Sequence, residues 1–186
     1  MTDQAVSMRQ MLRADLAAWR AHGWNRYPNS PAGTALMLFH YGGLRATFIH
    51  RLAHAANERH LHFLPSALSQ LNVALHGIDL PPSVSIGPGL YMPHTVGTVI
   101  NARSIGANAT LQGGLTVGQK NDTGFPLIGN GVTLAAGCRV LGAITVGDSS
   151  TIGANAVVLN DVRPGALMVG IPARDARATE LHPGAD

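Results

Sequence analysis

A chain of 186 residues with 46% hydrophobic and 12% charged side chains has the material for one packed core, and its composition is not that of a disordered protein. Its net charge of +3, carried by scattered arginines and the single lysine Lys120, is too small and too dispersed for a nucleic-acid surface. The lone Cys138 excludes an internal disulfide, no signal-peptide apolar region opens the chain, and the most apolar run, residues 35–49, is interrupted by His40, Gly42, Gly43 and Arg45; these features predict a cytoplasmic protein without an integral membrane segment.

Residues 1–77 read as helical. Met8, Leu12, Leu16 and Trp19 recur at three and four and form one apolar stripe. Gly23, Asn25, Pro28, Asn29, Ser30 and Pro31 break it. A second stripe runs through Met37, Tyr41, Leu44, Phe48, Leu52 and Ala55, with Gly42 and Gly43 weakening or kinking its first turns. A third, Leu64, Leu68, Leu71 and Leu75, opens near Pro65, which suits a first helical turn. His40, His50, His54, His60 and His62 crowd this region, but their spacing matches no zinc motif, and they read as surface or packing histidines.

From His76–Gly77 the pattern changes. Ile128, Leu134, Val140, Val146, Ile152 and Val158 follow one another at intervals of six, as do Val132, Cys138, Ile144, Ser150, Ala156 and Val162. The phase extends upstream through Ile105, Leu111 and Val117, and more loosely to Ile86 and Met92. A six-residue period fits neither a helix nor a long strand; it predicts a parallel β-helix of about five coils, with aliphatic side chains pointing into a narrow core and Gly or Asn at the turns. Cys138 falls on the inward series and reads as core filler. The period is interrupted between Thr98 and Ile105, and more strongly between Val117 and Ile128, where residues 119–125 form an additional polar loop. A loop thrown out by a regular scaffold suggests binding. The organisation expected is a helical segment 1–77, a β-helix 78–174 and a polar tail 175–186.

The segment HGIDLPPSVSIGPGLYMPH, the repeats after it, and GANAVVLNDVRPGALMVGIPAR together resemble the serine O-acetyltransferase family of hexapeptide acyltransferases over about residues 76–174, with a shorter helical segment in front than is typical. The resemblance implies a mainly β fold, a left-handed parallel β-helix behind an N-terminal α-helical segment, assembled as a homotrimer with acetyl-CoA in the grooves between neighbouring solenoids and no metal. It also implies a catalytic pair. The family's Asp and His stand fifteen residues apart, as do Asp79 and His94. An alcohol is a poor nucleophile at neutral pH. His94 would take its proton as it attacks the acetyl thioester, and Asp79 would hold the imidazole tautomer. For the cofactor, the resemblance points to small residues at turns, Gly118, Ala136 and Ala154. A family lysine near the phosphates is replaced by Thr151, leaving Lys120 or Arg174 to supply the charge.

On the acceptor side the chain departs from the family. The Arg–His pair that binds serine at the end of the loop reads Gly124–Phe125 here, the residue before the catalytic His is Pro93 in place of the usual Asp, and the helical segment offers only Asp3 and Asp15 for an acceptor-binding aspartate. An amino-acid zwitterion needs paired charges, whereas Phe125 presents an apolar face. The sequence therefore suggests a sugar or polysaccharide-precursor acceptor, with a resemblance to short exopolysaccharide-type members such as the colanic-acid acetyltransferases, and L-serine as the alternative. Two other classes are weighed. A γ-type carbonic anhydrase needs three converging histidines, and the repeats hold only His94. A non-catalytic β-helix scaffold predicts no CoA binding and indifference to loss of His94.

Overall fold

The computed structural model describes residues 6–24, 26–121 and 124–176. Four helices come first: α1 (Met8–Ala21), α2 (Pro31–His40), α3 (Gly42–Glu58) and α4 (Leu64–His76). Ser7 caps α1 in a reciprocal box with Gln10, and Ser30 caps α2, with Pro31 in its first turn. The second stripe of the sequence is thus two helices and not one. The chain leaves helical geometry at Tyr41 (φ −103°, ψ 105°) and restarts at Gly42. α4 ends on Gly77, whose φ of 61° is the left-handed conformation that glycine adopts without penalty.

Beyond Gly77 the chain winds into a parallel β-helix with three faces. The first face stacks β1 (Ile78–Asp79), β3 (Thr98–Ile100), β6 (Thr116–Gly118), β9 (Arg139–Leu141) and β12 (Val157–Val158). The second stacks β2 (Ser85–Ile86), β4 (Ser104–Ile105), β7 (Leu127–Ile128) and β10 (Thr145–Val146). The third stacks β5 (Thr110–Leu111), β8 (Thr133–Leu134), β11 (Thr151–Ile152) and β13 (Leu167–Val169), and is closed by β14 (Arg174–Asp175), which turns back antiparallel. Isolated bridges at Tyr91–Thr110 and Val146–Val162 complete the ladders, giving five coils about 4.8 Å apart. The six-residue series is the core: Ile86, Met92, Ile105, Leu111, Val117, Ile128, Leu134, Val140, Val146, Ile152 and Val158 are all buried. In the companion series Ser150 is also buried, and its Oγ donates to the Gly147 carbonyl at 2.7 Å, so the one hydroxyl of that column is satisfied internally.

The joint between helices and solenoid is ionic. Asp15 and Arg51 are 1% and 2% exposed and pair at 3.0 Å. The Asp15 carboxylate also accepts the backbone N–H groups of Gly89 (3.0 Å) and Leu90 (2.8 Å), and Arg51 donates to the carbonyls of Ile86 and Gly87. One buried pair therefore ties α1 and α3 to the first coil, with its remaining hydrogen-bonding capacity spent on backbone groups of the turn at residues 86–90. Breaking such a pair leaves an uncompensated buried charge. Asp15→Asn is expected to lower the unfolding free energy by roughly 3–5 kcal/mol, read from denaturant midpoints, with the helical signal lost before the β signal.

His50 is the second tie. It is buried on α3, and its Nε2 donates to the Val84 carbonyl at 3.1 Å, while Nδ1 has no partner. Burial, then the charges of Arg51 and His54, lower its pKa to about 3 against the Val84 hydrogen bond, which acts to raise it. The unfolded histidine titrates near 6.5, so between these values the unfolded chain binds a proton that the folded one does not. The contribution of neutral His50 is complete above pH about 6.5 and is lost as the pH falls towards 3. His50→Gln, which keeps an N–H for Val84 but does not titrate, is expected to flatten the acid limb of a Tm-versus-pH curve between pH about 6 and 4.

Candidate active site

Two corners of the solenoid carry the residues singled out above. At the corner where the chain turns from the third face into the first lie His94, then Gly113–Gly114 one coil on, Ala136–Gly137 and Ala154–Asn155. Strand register stacks them, since Leu111 pairs with Leu134 and Leu134 with Ile152 just before each turn. The corner where the chain leaves the first face carries Gly118, Lys120, Gly124 and Phe125. The first face separates the two corners, and its strands at about 3.3 Å per residue put them roughly 15–20 Å apart.

His94 is exposed, and its backbone is held closely. The next residue, Thr95, is buried and donates its hydroxyl to the His76 carbonyl at 2.7 Å. Gly97 N–H donates to the Gly77 carbonyl at 3.0 Å, and Gly114 N–H donates to Thr98 Oγ1 at 3.0 Å. The turn bearing His94 is therefore sandwiched between the end of α4 and the following coil. Asp79 lies outward on β1, directly paired with Val99 of the coil that His94 opens. Among the described residues Asp79 and His94 form no hydrogen bond or ion pair with one another, and both are open to solvent. Catalytic hydrogen bonds often tighten only when substrate binds.

The cofactor candidates divide between the two corners. Ala136 and Ala154 are exposed in the column above His94; Thr151 is half-buried on the adjoining third face, and Arg174 is exposed on β14 at the end of that face. Gly118 and Lys120 belong to the opposite corner. Gly124 has a φ of 109° and approaches Ala143, and Phe125 beside it is 36% exposed. Asp122 and Thr123 of the loop, and Asp3, lie outside the described residues. Asp15 is no acceptor ligand, because its carboxylate is consumed by Arg51 and two backbone amides. Cys138 is no nucleophile either: it is buried in the core, and burial raises its thiol pKa to about 12.

Sequence reasoning missed how the helical segment reaches this edge. His50 and His54 bond to the carbonyls of Val84 and Pro82, and Gly43 lies against the backbone of Met92 and Pro93, immediately before His94. An aromatic group, Trp19, Trp24, Tyr41 and Tyr91, fills the space between α1, α3 and the same coil, with Trp24 Nε1 donating to Tyr91 Oη at 2.7 Å. The only available signal was the glycine pair inside a helical stripe. Among the described residues no three His, Cys, Asp or Glu side chains gather as a metal site requires, and no helix is long and apolar enough to cross a membrane.

Comparison with known proteins bears on both fold and family. Residues 125–160 match the model described as bacterial transferase hexapeptide (six repeats). Serine acetyltransferase of Helicobacter pylori strain J99 is 38% identical over 178 residues, covering 94% of this chain and 96% of the relative. Among solved structures, soybean serine acetyltransferase complexed with serine superposes with a TM-score of 0.80 at 33% identity, over 91% of this chain and 70% of the other. A serine acetyltransferase complex with CoA superposes with a TM-score of 0.77 at 29% identity, over 89% and 68% of the two chains. These relatives give no support to the exopolysaccharide-type resemblance drawn from the sequence. With such identity spanning helices and solenoid alike, the chain belongs to the serine acetyltransferase family.

Proposed function

We propose that this chain is an acetyl-CoA-dependent O-acetyltransferase whose acceptor is the hydroxyl of L-serine. The observation that carries the reading is the 38% identity to a serine acetyltransferase over nearly the full length of both proteins. It moves the acceptor from the sugar favoured on loop composition to the amino acid that stood as the alternative. The complexes of family members with serine and with CoA support the same pair of substrates.

In this mechanism the His94 imidazole accepts the proton of the acceptor hydroxyl as the oxygen attacks the thioester carbonyl. Asp79 orients the ring and stabilises the imidazolium. When the C–S bond breaks, the imidazolium proton passes to the CoA thiolate, so the histidine is restored and the acetyl ester is released. Ala136 and Ala154, small and exposed above His94, leave the corner open for the pantetheine arm, Thr151 and Gly118 border its path, and Lys120 and Arg174 supply positive charge for the phosphates. The exit corner with Gly124 and Phe125 is a face away from His94 within one chain. A site using both corners needs a second copy turned edge to edge, and a homotrimer, working in the cytoplasm, closes three such sites. We assign residues 1–77 to the helical segment, 78–174 to the acetyltransferase solenoid and 175–186 to a tail.

One observation favours a second reading of the acceptor alone. Gly124 and the part-exposed Phe125 bring no charge to the loop, which suits a neutral hydroxyl compound better than a zwitterion. Free-thiol release from acetyl-CoA with L-serine beside a panel of sugars separates the two. Saturable turnover with serine is expected, and turnover confined to a saccharide would return the acceptor to the neutral class. His94→Ala is expected to lower kcat by roughly 10²–10⁴-fold, with the oligomer intact by sedimentation and CoA still bound. Asp79→Asn should show a smaller loss, on the order of tenfold to a hundredfold. Near-normal transfer by His94→Ala would remove the histidine from the mechanism, and failure to bind CoA at all would favour the scaffold.

A further inference from the structure

We propose that Gly43, in the first turn of α3, is a positioning residue for His94, an inference that rests on the reading of His94 as the base. Two adjacent glycines are poor helix formers relative to alanine, by about 1 kcal/mol each in a helix interior and less in the first turn. Neither Gly42 nor Gly43 has a positive φ, so backbone conformation does not demand them. Their surroundings differ. A Cβ on Gly42 would meet only the ends of two side chains, His76 Nδ1 at 3.7 Å and Arg45 Nη2 at 3.9 Å, which is ordinary contact. A Cβ on Gly43 would run into the Met92 carbonyl oxygen, with Met92 C at 3.0 Å and Pro93 C at 3.2 Å. The first turn of α3 is thus pressed, backbone to backbone, on the two residues that lead into His94.

The burden of any mismatch falls on the histidine. α3 cannot back away easily, because Arg51 and His50, two turns along, are locked to Asp15, Ile86, Gly87 and Val84. Met92 is fully buried in the solenoid core. On the far side, His94 already touches the next coil: a Cβ on Gly113 would lie 2.9 Å from the His94 Cβ. The equivalent turn positions one and two coils on are Ala136 and Ala154, so the turn itself tolerates alanine, and the contact with His94 accounts for the glycine. A segment pushed from Gly43 and stopped at Gly113 moves outward, and among the described residues no side chain hydrogen-bonds the exposed imidazole to hold it. Displacement of a catalytic group by about 1 Å is enough to cost up to a hundredfold in rate.

The test compares Gly43→Ala with Gly42→Ala, which share the gain in helix propensity and differ only in what the methyl meets. Gly43→Ala is expected to lower kcat by roughly tenfold to a hundredfold with the KM for acetyl-CoA held within about twofold, and to shift the His94 Cε1–H resonance, identified by its loss in His94→Ala. Gly42→Ala should leave kcat and that resonance near wild type. Wild-type kcat in a folded Gly43→Ala protein, or an equal loss in Gly42→Ala, overturns the inference. If Gly43→Ala fails to fold, Pro93→Gly loosens the same link from the other side and is expected to lower kcat by roughly tenfold with KM unchanged; full activity there overturns the inference as well. The two readings fail separately: an active His94→Ala removes the base, whereas an inactive His94→Ala beside a fully active Gly43→Ala removes only the positioning role.

Discussion

The buried pair of Asp15 and Arg51 is the constraint on which the arrangement of this molecule depends. A β-helix is a quasi-one-dimensional stack whose coils satisfy one another, and its first coil has no coil before it. Here that end is covered by α3 and α4. The attachment is made by charge as well as by apolar contact. Arg51 and the Asp15 carboxylate both reach past each other to the backbone of residues 86–90. Ala46 joins the solenoid core, and Asn72, Ser69 and His50 add hydrogen bonds to Ala46, Leu80 and Val84. A buried ion pair gains little over apolar packing in net stability, but it is intolerant of misplacement. That intolerance suits a joint whose geometry sets the loop carrying the proposed base.

The solenoid then converts a sequence period into columns. Each turn of the repeat returns a residue to the same corner, one strand spacing higher. Small residues thereby accumulate above His94, and the long interruption at residues 119–125 leaves from the opposite corner of the same face. In a single chain this division leaves each half of the proposed site incomplete. Under the proposed mechanism, a second copy would complete the site.

Acceptor choice rests on two observations of different kind. Relatedness over the whole chain argues for serine, and the local chemistry of Gly124 and Phe125 argues for a less polar partner. The first describes what the scaffold has been used for, and the second what one loop presents. Asp15, the one described acidic residue of the helical segment considered for the acceptor amine, is withdrawn by its pairing with Arg51. On the serine reading, the charges that hold the amino acid come from groups other than Asp15.

The sequence alone determined the β-helix, its five coils, the inward series and the protruding loop, because a six-residue period has one structural solution and each position reports its own burial. Asp79 and His94 came forward as a candidate pair only through the resemblance to the family. Tertiary structure decided the rest, for reasons that local pattern does not carry. The stripe from Met37 to Ala55 keeps its apolar phase across Tyr41, so the break between α2 and α3 leaves no periodic trace. Asp15 and Arg51 are thirty-six residues apart in the chain, and nothing near either announces burial. His50 and His54 are ordinary helix residues until the first coil places carbonyls beside them. Gly43 looks like a defect in a helix, and only the Met92–Pro93 backbone against it gives the missing side chain a reason.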